Sequence, residues 1–140
     1  MYTFQHENAD FAKLFTHQRP YAVAYMKGVA NFSKAGGRIL FFPAGDRGIL
    51  AVATLRGLPV LPPGDTIFAG IAPENTKTPF AFPEFSLTPT PQGKIWCAIL
   101  LGAFGIAEAV GRDLILTRQI SGAKAEIVAR GTIRKSFGQI

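Results

Sequence analysis

Apolar and polar positions along this chain alternate in short runs rich in Val, Ile, Phe and Thr, and Gly or Pro interrupts them roughly every ten residues. A period of two sends successive side chains to opposite faces of a strand. The runs therefore predict eight strands, at 21–30, 37–43, 48–56, 66–72, 81–88, 94–101, 112–119 and 125–135. Brief strands separated by turn residues at this spacing are the rhythm of a β-sandwich or barrel. Alternation is clearest in the last run, where Ile127, Ala129, Gly131 and Ile133 fall on one face and Glu126, Arg130, Thr132 and Arg134 on the other. One face should pack while the other meets water. Gly45-Asp46-Arg47-Gly48 and Pro91-Gln92-Gly93 predict tight hairpin turns between antiparallel neighbours, since Gly and Asp tolerate positive φ.

Ahead of the first strand the period changes. Asn8 is a suitable N-cap, Phe11, Leu14 and Phe15 follow at helical spacing, and Arg19-Pro20 ends the segment. The prediction is a short helical extension over 1–20 on one β domain over 21–140, with no repeat or linker dividing it. A chain of 140 residues can bury about two thirds of the surface it exposes when unfolded, so it can hold a core without staples.

Cysteine and charge narrow the setting. Cys97 stands alone, so no intrachain disulfide can form, as in proteins of a reducing compartment. The start has no leader-like pattern, and no apolar run approaches the ~18 residues of a spanning helix. The expected location is cytoplasmic, without a membrane partner. The longest apolar stretch, 95–106, is broken by Gly102 and Gly105, as suits a buried strand leading into a turn. The net charge of +6 favours acidic partners. Its excess lies late, with Arg112, Arg118, Lys124, Arg130, Arg134 and Lys135 against Asp113 and Glu126. An outer sheet face carrying Arg130 and Arg134 is the candidate anion-binding surface. A nucleic-acid partner is not expected, because these basic residues lack the interleaved exposed aromatics of a single-strand binder.

Catalytic patterns are scarce. Cys97, between Trp96 and Ala98, has no basic neighbour to lower its pKa and reads as a core residue. Gly102, Gly105 and Gly111 match no phosphate-loop spacing. Nothing in their spacing pairs two of the carboxylates Glu74, Glu84, Glu108 and Asp113. Phe80, Phe82 and Phe85 lie beside Pro79 and Pro83 and are either a plug of the core or a surface for self-association.

The wording of several strands is that of a known family. Arg19-Pro20-Tyr21-Ala22-Val23-Ala24-Tyr25-Met26-Lys27-Gly28 resembles the opening strand of bacterial copper/zinc superoxide dismutase-like proteins. Gly48-Ile49-Leu50-Ala51-Val52-Ala53 with Gly57-Leu58-Pro59 is similar to their third strand and its exit. Gly111-Arg112-Asp113-Leu114-Ile115-Leu116 resembles the segment before a copper ligand, and Ala129-Arg130-Gly131-Thr132-Ile133 the closing strand. The resemblance implies an eight-stranded Greek-key sandwich or barrel. It also implies a metal site that this chain has lost. Ile71 and Pro73 stand where the family's Gly-Phe-His-x-His-Glu run has its copper histidines, and Thr117 stands at the later copper histidine. On the zinc side the counterpart begins at Phe80, only six positions after Glu74, so the metal-binding loop is largely deleted. Arg130 takes the place of the disulfide cysteine and Ile127 that of the guiding arginine. Copper cycling needs imidazole ligands, which Ile, Pro and Phe cannot imitate. His6 and His17, the chain's two histidines, would lie about 16 Å apart on a helix, too far to share an ion.

The expectation is therefore a non-catalytic domain acting in binding or assembly, without cofactor or metal, as a homo-oligomer, most simply a dimer through Phe80, Phe82 and Phe85. Two alternatives stay open: an enzyme of another class with a pocket that sequence patterns do not show, and a binder of an anionic partner through Arg130 and Arg134.

Overall fold

The computed structural model describes residues 2–4, 19–61, 66–72, 82–102, 105–118 and 125–136, with the backbone alone at 2–4 and 47. Among the described residues nine strands form: β1 (Tyr2–Phe4), β2 (Ala22–Gly28), β3 (Gly36–Pro43), β4 (Ile49–Arg56), β5 (Ile67–Ile71), β6 (Phe85–Leu87), β7 (Ile95–Leu100), β8 (Asp113–Arg118) and β9 (Glu126–Lys135). The eight strands expected from the alternation are all present. The ninth is a correction to the stretch read as a helical extension, since Tyr2–Phe4 pairs with Ala98–Leu100 along the free edge of β7. The helix expected between Asn8 and Arg19 falls on residues 5–18, outside the described residues.

All pairings are antiparallel, in the order β1-β7-β4-β3-β2-β9-β8-β5-β6. Ile39 and Phe41 of β3, Ala53 and Leu55 of β4, Ile67 of β5, Phe85 of β6, Cys97 of β7 and Leu114 and Leu116 of β8 belong to one buried cluster. Strands far apart in the order can share that cluster only if the sheet curls around it into a nearly closed barrel. Inward alanines at 22, 24, 51, 53, 69 and 129 make room for Phe41 and Phe85, the mixture of small and large side chains that fills a narrow barrel.

Connections between the two halves run across the barrel. β2, β3 and β4 form a meander, and β5–β6 and β8–β9 are hairpins, but β4 to β5, β6 to β7 and β7 to β8 join strands that are not neighbours. The Pro91-Gln92-Gly93 turn is therefore corrected. It is a tight turn, with Gly93 N–H donating to Thr90 O at 2.8 Å, but it carries the chain from β6 to β7 rather than folding a hairpin. Gly45–Arg47 is a single 3-10 turn between the paired strands β3 and β4, as expected. Gly102, just after β7, has φ +81, and a one-turn helix, α1 (Ile106–Ala109), which the alternation did not predict, precedes β8.

β9 also differs from its predicted faces. Leu116 pairs with Ala129 while Thr117 pairs with Ile127, so Val128 is an extra residue in β9, a β-bulge. Val128 and Ala129 both point inward and are buried, and Val128 O accepts from Val29 N–H at 3.0 Å. Ile127, expected inside with Ala129, is thereby turned outward and is 37% exposed. Beyond the bulge the expected alternation holds, with Ile133 inside and Arg130, Thr132 and Arg134 outside.

The outer face is not uniformly wet. Phe42, Ala44, Leu50, Val52 and Ala98 form a second buried cluster on the outer side of β3, β4 and β7, so β4 is buried on both faces over most of its length.

Candidate functional site

Of the positions that the resemblance assigns to metal, Pro73 and Phe80 lie outside the described residues, as do His6 and His17. Ile71 and Thr117 can be placed. Ile71 pairs with the buried Leu114 and leans on the barrel core, whereas Thr117 pairs with Phe68 and Ile127, whose side chains face outward. Three residues along β5 separate Ile71 from Thr117's partner, about 10 Å at strand rise, and the two side chains take opposite faces. The fold does not bring them together. Among the described residues no three His, Cys, Asp or Glu side chains gather as a metal ion would need.

Phe85 is 2% exposed and sits inside the barrel, while Phe82 is half-buried against the same core with its ring centroid 6.3 Å from that of Phe85. Phe85 serves the interior of this one chain, and Phe82 packs against it from just outside. Cys97, on the inner face of β7, is buried among aliphatic side chains, and burial pushes its thiol up to about 12. A thiol that stays protonated at neutral pH is a poor nucleophile.

The outer face of β8 and β9 carries a small polar network. Arg130 Nε donates to Asp113 Oδ2 at 2.8 Å, and the Thr132 hydroxyl donates to Asp113 Oδ1 at 2.8 Å. These hydrogen bonds, that of Arg130 first, hold the Asp113 carboxyl below its ordinary range. Arg130 is thus engaged by a carboxylate, and Arg134 is exposed four positions further along β9. Arg118 is held likewise, 2.6 Å from Glu126 and stacked over the Phe32 ring at 5.2 Å.

A different group of cations is left open one strand further on. Lys27 of β2 pairs with Gly36 of β3, which pairs with Arg56 of β4, and all three positions face outward. In the next outward row Tyr25 pairs with Arg38, and Arg38 with Thr54. Gly36 has no side chain, so Lys27 and Arg56 flank a bare stretch of backbone, on strands roughly 10 Å apart. The result is a trough of about 480 Å³ lined by Lys27, Arg38, Arg56, Tyr25 and Gly36 among others. β2, β3 and β4 contain no Asp or Glu, and Tyr25 is 63% exposed.

Sequence reasoning missed this group. Its members are spread over positions 25–56, and only strand register aligns them. The signal available was the absence of acidic residues from three successive strands.

The described residues contain no helix long and apolar enough to cross a membrane. No known family's profile matches the chain, and no curated protein is similar enough to it to count as a relative.

Proposed function

We propose that the chain is a non-catalytic domain acting in binding or assembly, built on a Greek-key barrel of the copper/zinc superoxide dismutase type. The alternation of hairpins with cross-barrel connections supports the architecture. The observation that supports the functional reading is the state of the positions that the resemblance assigns to metal. Ile71 turns into the core and Thr117 turns away from it, so these two positions offer neither metal-ligating atoms nor convergence. The buried thiol of Cys97 offers no substitute chemistry.

Elemental analysis and a superoxide assay on tag-free protein test this reading. Neither copper nor zinc should be present in stoichiometric amount, and dismutation should not exceed the buffer rate. Metal at about one ion per chain, lost together with activity on chelation, overturns it.

A further inference from the structure

We propose that the trough on the outer face of β2, β3 and β4 binds a nucleotide, its phosphate held by Lys27, Arg38 and Arg56 and its base stacked on Tyr25. The inference rests on the reading of the chain as a binding domain and names the class of ligand.

Charge comes first. Arg130 and Arg118 each face a carboxylate, but no ion pair among the described residues involves Lys27, Arg38 or Arg56, and their three strands supply no acid to neutralise them. Like charges gathered on one face repel, and an anion seated between them removes that cost. Shape comes second. Gly36 leaves the floor open where Lys27 and Arg56 flank it, so a phosphoryl group can approach the backbone while both side chains fold over it. A Cβ built at Gly36 meets only Met26 O, at 3.4 Å, so the opening is a property of the residue present and could be filled without disturbing the strand. The ring comes third. Tyr25 pairs directly with Arg38, and a flat aromatic face at the edge of a cationic trough is the arrangement on which a base stacks while its phosphate is held. The expectation that nucleic acid is an unsuitable partner rested on a lack of interleaved aromatics, and the sheet supplies one here. A bare polyanion would use the cations and leave Tyr25 idle.

The base and phosphate can belong to a free nucleotide or to a single strand, and the test separates the two. Fluorescence anisotropy with a labelled 15-mer of deoxythymidylate, and calorimetry with thymidine monophosphate, are run on the full chain at 50 mM salt. On a strand, where Lys27, Arg38 and Arg56 can each neutralise a separate phosphate, affinity should fall about twentyfold between 50 and 200 mM salt. Lys27→Gln with Arg56→Gln should weaken binding at least tenfold, and so should Gly36→Asp, which sets a carboxylate on the floor. Tyr25→Ala should cost the oligonucleotide about tenfold while Tyr25→Phe keeps the affinity, and neither should change heparin binding. Circular dichroism melts confirm that each variant folds. Binding of the 15-mer alone assigns a strand, and comparable binding of the monophosphate assigns the free nucleotide. Absence of both at 50 mM salt, or binding that heparin matches and that Tyr25→Ala leaves unchanged, overturns the proposal. Neither result touches the metal and dismutase assays, so the broader reading stands or falls separately.

Discussion

Gly37 and Gly45 both have positive φ, but their surroundings set different costs for a side chain. A Cβ at Gly37, φ +137, would collide with Thr54 O and lie 2.8 Å from Leu55 Cα, whereas at Gly45, φ +62, nothing lies within 4 Å. Gly37→Ala should destabilise by about 2–5 kcal/mol, backbone strain and overpacking together, and Gly45→Ala by about 1 kcal/mol of strain alone. Urea unfolding of the two variants measures the difference. Asp113 gives a pH signature at the same scale. Its carboxyl is held below the ordinary value of 3.8 by Arg130 and Thr132, so its contribution to stability is complete above that value and is lost as pH falls through the lower folded pKa. Asp113→Asn should flatten that acid limb of stability against pH. The change should be small, below about 1 kcal/mol, because the pair is solvent-accessible and screened. At this scale the sequence was informative about Cys97, whose apolar neighbours foretold burial, and silent about Asp113, whose partners lie seventeen and nineteen positions away.

Strand β6 is only three residues long, yet it supplies Phe85 and Leu87 to the core and leaves Phe82 leaning on it from just outside. Phe85→Ala should therefore cost about 3–5 kcal/mol, the usual price of emptying a buried aromatic site. Phe82→Asp should destabilise by about 1–3 kcal/mol, by placing a carboxylate against apolar neighbours. Denaturant unfolding with light scattering separates this outcome from an interface, where the aspartate would instead convert a dimer into a monomer of unchanged stability. The run 81–88 announced an apolar segment here, but periodicity could not say whether its rings face inward or a partner. That depended on where β6 docks, and it docks on β5, across the barrel from the β7 strand it leads into. β9 shows the complementary failure. Strict alternation placed Ile127 inside because a period-two rule assumes one residue per pleat, and the extra residue Val128 breaks that count.

For the whole molecule, the proposed function implies a barrel with no metal-binding free energy to lose. Treatment with chelator should leave Tm unchanged, and a fall in Tm that added zinc or copper reverses would contradict the functional reading. Much of the architecture was already readable in the chain: eight strands and the β3–β4 turn follow from local alternation and turn chemistry. These are properties of a residue and its near neighbours, which sequence displays directly. The strand order, the bulge at Val128, the extra pairing of β1 and the turn that crosses from β6 to β7 depended on which edges meet. The trough belongs with them. Lys27, Gly36 and Arg56 come into one row because hydrogen-bonded register aligns three strands whose facing positions lie nine and twenty residues apart, and no local pattern encodes that distance.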